Sequence, residues 1–259
     1  MKVHFVVHEA FEAPSAYEAW VKDRGYATSY SRVYAGDPLP REVSDIDLLV
    51  VLGGPQSPST TSGECPHFDS AAEQVLIKNC VESDKAVVGV CLGAQMIGAA
   101  LGAPHARSPE REIGVFPITL TSEGKSNPKF VGFSGTLDVG HWHNDMPGLT
   151  EDAKIIASSE GCPRQIVEYG DLDYGFQCHM EFTPEVVELL IAVSEHRLPR
   201  LRGRRFVQQA DELRANSYDA MNQKLFGFLD KLMEAYEDRL PAETPVRASS
   251  AAASGSSLR

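Results

Sequence analysis

One stretch of the chain joins a run of apolar residues to the pattern Gly-x-Cys-x-Gly: Val87-Val88-Gly89-Val90-Cys91-Leu92-Gly93-Ala94-Gln95. Small residues follow and continue to Gly102 as a short helix-like segment. A buried strand that turns sharply into a helix, with a nucleophilic residue at the turn, is called a nucleophile elbow. Glycine suits positions 89 and 93 because a Cβ atom there would collide across so tight a turn. The stretch predicts an α/β fold with Cys91 at the carboxyl end of a buried strand.

Cys91 is the candidate nucleophile of this elbow. The N-terminus of the following helix points at the thiol, and the helix dipole favours the thiolate form. The backbone N–H of Leu92 points to the place where an oxyanion would form. The alternative is a buried cysteine beside two glycines that serve only close packing of helix on sheet. The two interpretations differ because only a nucleophile needs a base within reach.

A candidate base follows a later apolar strand, in the sequence Gln177-Cys178-His179-Met180-Glu181. Residues two apart in an extended backbone project to the same side. Glu181 can therefore hold the imidazole of His179 in one tautomer while the other ring nitrogen faces Cys91. A His-x-Glu pair alone is common in solvated loops, but beside the elbow it predicts a Cys–His–Glu triad.

Two glycines, Gly53 and Gly54, directly follow the apolar run 47–52. They are compatible with an ordinary turn. In an open α/β sheet, however, the loop after a strand lies at the carboxyl edge, where ligands bind. Gly54 could therefore present its N–H as a second oxyanion donor.

Short runs rich in Val and Ile alternate with longer amphipathic stretches along most of the chain. Continuous apolar runs are typical of parallel strands that are covered on both faces. The predicted strands are 2–7, 47–52, 86–90, 113–120, 136–142, 154–158, 164–169 and 174–178, and the predicted helices are 14–24, 67–83 and 184–196. This alternation predicts a flavodoxin-like, doubly wound α/β fold, with a mixed or parallel sheet flanked by helices.

The chain changes character beyond the predicted main domain, 1–198. Residues 199–240 are charged, with apolar positions at helical spacing, and predict a helical extension. The extension would pack on its own domain, on a second copy in a homodimer, or on a partner. The segment 241–259 is rich in Ala and Ser and is predicted to be disordered.

The composition excludes several classes of partner and site. The net charge is −12 at pH 7, whereas nucleic acids and anionic membranes bind clustered Lys and Arg. We find no apolar run long enough to span a membrane and no signal-peptide pattern. The five cysteines have no CxxC spacing, which favours reduced thiols in the cytoplasm, and no Cys/His pair has the spacing of a zinc site. We therefore expect no metal and no cofactor.

Taken together, the motifs resemble the class I, or triad, glutamine amidotransferases, and most closely their stand-alone branch that is similar to the GMP synthase amidotransferase domain. The resemblance covers about residues 1–196. The matching segments are Gly53-Gly54-Pro55, Gly89-Val90-Cys91-Leu92-Gly93-Ala94-Gln95, Glu112-Ile113-Gly114, Gly140-His141-Trp142-His143-Asn144-Asp145 and Gln177-Cys178-His179-Met180-Glu181.

The resemblance implies a role for each matched residue of the triad and the oxyanion hole. Cys91 would attack the side-chain amide carbon of glutamine. His179 would carry the proton from the thiol to departing ammonia, and Glu181 would orient His179. The N–H groups of Gly54 and Leu92 would stabilise the oxyanion, and water would then release glutamate from the thioester.

The resemblance also implies a set of substrate-binding residues, namely Gly53, Gln95, His143, Asn144 and Asp145. We place the last three in a polar loop that follows the strand 136–142. His143 is the rival to His179 as base, although its loop does not place a carboxylate in the register of a strand end. The chain departs from the family at Cys178 and Met180, where an aromatic residue and a proline are usual, and at Ala94, where His is frequent.

Three functions are compatible with these residues. The first is hydrolysis of glutamine, with ammonia delivered to a separate synthetase, because the chain has no phosphate loop or pyrophosphatase motif of its own. The second is a γ-glutamyl peptidase that uses a γ-glutamyl compound and no acceptor. The third belongs to another class, a non-catalytic binding or regulatory protein, and the intact triad argues against it.

Overall fold

The computed structural model describes residues 1–240, so the segment predicted to be disordered, 241–259, lies outside the described residues. Within this range the strands are β1 (Lys2–Val7), β2 (Ala27–Arg32), β3 (Leu48–Val51), β4 (Ala86–Val90), β5 (Ala106–Leu120), β6 (Thr136–Met146), β7 (Lys154–Ser158), β8 (Ile166–Gly170) and β9 (Asp173–Phe176). The α-helices are α1 (Ala16–Arg24), α2 (Ser70–Glu82), α3 (Leu92–Ala100), α4 (Ser122–Ser126), α5 (Pro184–Val193), α6 (Ala210–Ala215) and α7 (Asp219–Glu237).

The strands form one sheet in the order β2-β1-β3-β4-β9-β8-β7-β5-β6. Neighbours from β2 to β9 pair in parallel, and those from β9 to β6 pair antiparallel. The predicted α/β fold with a mixed sheet flanked by helices is confirmed. Parallel pairing brings the carboxyl ends of β1, β3, β4 and β9 to one edge, which is where the predicted site residues follow their strands.

Alternate residues of the central strands belong to two separate cores, one on each face of the sheet. On β3, Leu48 and Val50 face α1, α5 and α7, whereas Leu49 and Val51 face α2 and α3. All four side chains are fully buried. Burial on both faces explains why these strands read as continuous apolar runs rather than alternating ones.

Strand β2 is missing from the sequence prediction. It pairs with β1 at the edge of the sheet, and most of its residues are exposed, so it lacks an apolar run. Its polar residues have a partner in His4 of β1, whose ring nitrogens lie 2.8 Å from Ser29 Oγ and 3.1 Å from Ser31 Oγ. Burial lowers the pKa of His4 to about 4, so its imidazole is neutral at pH 7 and links the two strands.

The C-terminal helix α7 packs on the α/β domain of its own chain. Its residues Leu225, Phe228 and Leu229 are fully buried, and burial of one such side chain contributes about 1.5–3 kcal/mol. Asp230 accepts hydrogen bonds from Trp20 Nε1 at 2.8 Å and from the Arg24 guanidinium at 2.7 Å, both on α1. This apolar face is therefore not available to a homodimer. Among the described residues, no helix is long and apolar enough to cross a membrane.

Candidate active site

The elbow predicted at Cys91 is present, with β4 ending at Val90 and α3 beginning at Leu92. Cys91 has φ 52° and ψ −105°, a conformation that costs a non-glycine residue about 1–3 kcal/mol. Its backbone N–H donates to the carbonyl oxygen of Phe176 on β9 at 2.7 Å, which anchors the turn to the neighbouring strand. The strain therefore persists because the surrounding sheet fixes the backbone.

The two glycines of the elbow serve different contacts. A Cβ atom at Gly89 would lie 2.3 Å from the carbonyl oxygen of Gly93, so this glycine prevents a collision across the turn, as predicted. A Cβ atom at Gly93 would instead lie 2.0 Å from the carbonyl oxygen of Val51 on β3. The second glycine therefore allows α3 to approach β3, and the prediction that it relieves the turn itself is wrong.

His179 and Glu181 contact each other as their spacing predicts, with Nδ1 2.7 Å from Oε1. Both side chains are buried, and the ring of Phe182 stacks on the imidazole with centroids 4.2 Å apart. The N–H of His179 donates to the carbonyl oxygen of Gly140 on β6 at 2.8 Å. Burial alone would lower the pKa of His179, but Glu181 and Cys91 beside it outweigh burial and raise the pKa well above its usual value.

The other ring nitrogen of His179, Nε2, has no hydrogen-bond partner within residues 1–240. The Cys91 sulfur, which neighbours this ring, lies 4.0 Å from the carbonyl oxygen of Trp142. Catalytic hydrogen bonds are often loose without substrate and tighten when it binds. Nε2 is thus the ring atom available to exchange a proton with the thiol, and the raised pKa of His179 favours the form in which Nε2 holds that proton.

A cavity of about 460 Å³ opens onto Cys91, a volume within the usual range of about 300–1,000 Å³ for small-molecule sites. The predicted site residues that line it are Gly54, Cys91, Gln95, His143, Asn144 and Asp145. The remaining ones, Gly53, Leu92, His179 and Glu181, lie behind its wall and are buried. Gly53 therefore does not contact the cavity as a substrate-binding residue should.

Gln95 lines the cavity and has one polar atom without a partner in the described part of the chain. Its Nε2 donates to Gln177 Oε1 at 3.1 Å, while its own Oε1 is buried and has no hydrogen-bond partner among the described residues. An unpaired buried acceptor costs free energy, which a donor on a bound molecule would recover. Gln95 is thus suited to bind an N–H group of a substrate.

Gly53 is held from behind by a histidine that the sequence interpretation overlooked. His8 directly follows β1, and its Nδ1 lies 2.9 Å from the carbonyl oxygen of Gly53. Its Nε2 lies 3.0 Å from both carboxylate oxygens of Glu73 on α2. The signal available in the sequence was the position of His8 at a strand's carboxyl end, whereas Glu73 carries no local signal.

The contacts of His8 determine its charge. A carbonyl oxygen and a carboxylate only accept hydrogen bonds, so both ring nitrogens donate and the imidazole is cationic. Burial would lower the pKa of His8, but the Glu73 carboxylate and the Gly53 carbonyl outweigh it and raise the pKa. The Gly53 carbonyl belongs to the same peptide unit as the Gly54 N–H. A cation bonded to one end of that peptide strengthens the donor at the other end.

His143, Asn144 and Asp145 belong to β6, so the prediction that they form a loop is wrong. Antiparallel pairing with β5 continues to Met146, past an irregularity in β5 between Arg107 and Glu112. The polar character that suggests a loop arises because this end of β6 lines the cavity.

Pairing of β5 with β6 places Glu112 opposite His143 and assembles a buried polar cluster with His141. Glu112 Oε2 lies 3.3 Å from His143 Nε2, so His143 does have a carboxylate partner, which its sequence neighbourhood did not reveal. Donor atoms of the three residues lie within 4.8 Å of one another and could hold a metal ion. Hydrogen bonds from Ser159 at 2.8 Å and Gln165 at 2.6 Å already satisfy the carboxylate.

Glu12 lines the cavity wall beside the loop that contains Gly53 and Gly54. A side chain at Gly53 would meet Glu12 Oε2 at 2.6 Å and His179 at 3.4 Å, which places the carboxyl group between the loop and the base. Burial raises the pKa of Glu12 to about 7. Nothing in the local sequence distinguishes this glutamate from an exposed one.

Comparison with known proteins identifies the family. The model of the family described as glutamine amidotransferase class-I matches residues 15–191. The chain belongs to the class I glutamine amidotransferases. The glutamine amidotransferase-like protein YfeJ of Salmonella typhimurium is 56% identical over 92% of this chain and 100% of its own length.

Two further relatives of this class I amidotransferase extend the comparison. A glutamine-hydrolysing GMP synthase of Caldanaerobacter subterraneus is 30% identical over 60% of this chain and 28% of its own length. The crystal structure of SMU.1228c is 49% identical, with a TM-score of 0.88, and covers 90% of this chain and 100% of that protein. The predicted family and its similarity to GMP synthase are confirmed.

The departures of this amidotransferase from its family pattern lie in packed positions. Cys178 and Met180 are fully buried, and the Met180 carbonyl accepts a hydrogen bond from Asn222 of α7 at 2.7 Å. Ala94 does not line the cavity. A Cβ atom added to Gly175 of β9 would lie 3.1 Å from that of Ala94. Ala94 thus serves the contact of α3 with β9.

Proposed function

We propose that this amidotransferase hydrolyses a γ-glutamyl amide, with glutamine as the simplest substrate, through a thioester on Cys91. The observation that carries the proposal is the strained elbow, which presents Cys91 to the cavity beside the buried His179–Glu181 pair. Family membership supports hydrolysis of the glutamine amide in general. The proposed triad assigns this hydrolysis to particular atoms of Cys91, His179 and Glu181.

The reaction begins when Cys91 Sγ attacks the amide carbon and forms a C–S bond. The thiol proton moves to His179 Nε2, and the N–H groups of Gly54 and Leu92 stabilise the negative oxygen. His179 then returns the proton to the amide nitrogen, the C–N bond breaks, and ammonia leaves. Water, deprotonated by His179, attacks the thioester carbon, so that glutamate and the free thiol are released.

The proposed substrate contacts follow from the cavity wall. Gln95 Oε1 accepts a hydrogen bond from the substrate's ammonium group, and Asn144 and Asp145 hold the amino-acid end along β6. His143 is fixed by Glu112 and shapes this wall rather than acting as the base. Gly53 contributes through its peptide link to Gly54 and not by direct contact.

The thioester is the direct test of this mechanism. Protein mixed with glutamine and quenched in acid during turnover should gain the mass of one γ-glutamyl group. Peptide mapping should place that group on Cys91, with the other four cysteines as internal controls. If neither glutamine nor a γ-glutamyl dipeptide forms an adduct or releases glutamate, the proposed reaction is refuted and only a non-catalytic function of this fold survives.

Replacement of Glu181 by glutamine should lower kcat for glutamate release by about 10²–10⁴-fold. The amide group of the introduced glutamine can donate to Nδ1 of His179, which would leave the proton on Nε2, where the base must be free. Steady-state kinetics would show the loss in kcat with little change in KM. Glu185→Gln, an exposed change on the first turn of α5, is the matched control. A Glu181→Gln enzyme within about threefold of wild type would disprove the orienting role.

Replacement of Glu73 by glutamine should lower kcat by about tenfold while KM stays within about twofold. Loss of the carboxylate removes the main interaction that opposes burial and lowers the pKa of His8, so the cationic form is less favoured and polarises the Gly53–Gly54 peptide less. Removal of an entire oxyanion donor costs about 10²–10³-fold, and a weakened donor costs less. Denaturation curves separate this effect from unfolding, and Glu82→Gln on the exposed end of α2 is the control. Unchanged kcat in a folded Glu73→Gln protein would contradict this role.

We place the reaction in the cytoplasm, supported by five cysteines that are all free thiols within the described residues. We propose that a synthetase partner uses the ammonia, and residues 199–240, which are mainly helices packed on the α/β domain, do not supply such a site. One relative is a glutamine-hydrolysing GMP synthase. We propose that this chain performs the hydrolytic half of such a reaction, the release of ammonia from glutamine.

A further inference from the structure

Two arginines line the same cavity as Cys91. Arg111 lies on β5 and is half-buried, and Arg197 lies in the turn after α5 and is exposed at the rim. The chain as a whole carries a net charge of −12. The cavity wall is therefore positively charged at this place although the protein as a whole is negatively charged.

Neither arginine has a carboxylate within 4 Å among residues 1–240. Arg111 Nε donates to the amide oxygen of Asn144 at 3.2 Å, a neutral partner that aims the guanidinium along the wall. Two arginines outside the cavity are paired, since Arg205 contacts Glu160 and Arg214 contacts Glu188 at 2.7 Å. The cavity arginines thus keep unused donors for a ligand.

Like charges surround Arg111. Burial and the nearby charges of Arg197, Arg107 and Arg204 lower the pKa of Arg111. Of the acidic groups that line the cavity, Asp145 lies 4.0 Å from Arg107, and Glu12 lies on the wall beside Gly53. The rim therefore carries an excess of positive charge that a bound anion would relieve.

The chemistry of the site limits which anion fits. A guanidinium fork matches a carboxylate in bidentate geometry. The proposed function already assigns the amino-acid end of the γ-glutamyl group to Asn144 and Asp145 on β6, so the two guanidinium groups are left for a second carboxylate. The cavity has room beyond an amino acid, and apolar side chains line it near Arg197: Leu190, Val193, Leu198 and Leu201.

We propose that Arg111 and Arg197 bind the carboxylate of an amino-acid leaving group, so that the substrate is a γ-glutamyl amino acid or peptide. This inference rests on the proposed function of Cys91. The bond changes are those of the thioester reaction. The C–N bond breaks, the proton from His179 passes to the amino nitrogen of the leaving amino acid, and water releases glutamate from the thioester.

Binding to the Cys91→Ala protein tests the inference without turnover. Titration calorimetry compares γ-glutamylglycine with γ-glutamyl methylamide, which has the same amide and no second carboxylate. We expect the dipeptide to bind about 10- to 100-fold more tightly, the range for hydrogen bonds to a charged group. Adding Arg197→Ala should remove this preference and leave methylamide binding within about twofold. Arg111→Ala should weaken dipeptide binding more than methylamide binding, because Arg111 also holds Asn144. Arg200→Ala, an exposed neighbour that does not line the cavity, should retain the preference.

The other outcomes are equally decisive. Equal weakening of both ligands would mean that the arginines hold the α-carboxylate that the ligands share, and it would overturn the inference. Unchanged binding in both arginine variants would overturn it as well. A third outcome is selective binding of the dipeptide while the wild-type protein, which keeps Cys91, hydrolyses no γ-glutamyl compound. This outcome would support the carboxylate site and refute the proposed function.

Discussion

Replacement of Cys91 by alanine should abolish glutamate release, with a loss in kcat of about 10⁴-fold or more. Without the thiol no C–S bond can form, so there is no covalent intermediate for the oxyanion donors to stabilise or for His179 to protonate. Alanine keeps the Cβ atom, so the strained backbone at φ 52° is no worse for it than for cysteine. We therefore expect the free energy of unfolding to change by about 1 kcal/mol or less. Coupled assays of glutamate, with denaturation curves on the same protein, measure both quantities.

A matched control for this loss is Cys80→Ala. Cys80 is a buried free thiol on α2 that does not line the cavity, and burial raises its pKa to about 12. Its replacement should cost some stability and leave kcat unchanged. If Cys91→Ala retained turnover, or if Cys80→Ala lost it equally in the folded state, Cys91 would not be the nucleophile.

The elbow and the base could be predicted because their determinants are local in sequence. An apolar strand, two glycines and a thiol within nine residues define the turn around Cys91. The two-residue spacing of His179 and Glu181 predicts that their side chains meet, and in the structure Nδ1 lies 2.7 Å from Oε1. Continuous apolar runs likewise identified the central strands, because a strand that is buried on both faces of the sheet is apolar at nearly every residue.

The rest of the site is created by the fold and has no local pattern. Glu73 is 65 residues from His8, and only the packing of α2 beside β1 brings the two together. Glu112 meets His143 through antiparallel pairing of β5 with β6, whose register is interrupted by an irregularity that no motif marks. Arg111 is one of many arginines in the sequence and becomes distinctive only because it lines the cavity without a carboxylate partner among the described residues.

Strand edges were the other source of error, for a related physical reason. β2 is polar because it lies at the edge of the sheet and is covered on few of its residues. The end of β6 is polar because it lines a cavity. A prediction based on buried apolar runs finds strands that pack against helices and misses strands that face water or substrate.

Replacement of Gly93 by alanine should destabilise the protein by about 3 kcal/mol or more and reduce activity with it. The added Cβ atom would lie 2.0 Å from the carbonyl oxygen of Val51 and 2.7 Å from its carbonyl carbon. Both are backbone atoms of a central strand, so no side-chain rotation can relieve the contact. Overpacking of a core typically costs about 1–3 kcal/mol, and here α3 must move away from β3 as a unit. In a protein of this size we expect Tm to fall by about 6–12 °C.

Gly135→Ala is the matched control for this substitution, because a Cβ atom there meets nothing within 4 Å and its φ is not positive. Its effect on the free energy of unfolding should stay within about 0.5 kcal/mol. Since α3 also carries Leu92 and directs its N-terminus at Cys91, Gly93→Ala should lower kcat even at temperatures where the protein stays folded. A Gly93→Ala protein with wild-type Tm and kcat would show that the approach of α3 to β3 is not what fixes the position of the nucleophile.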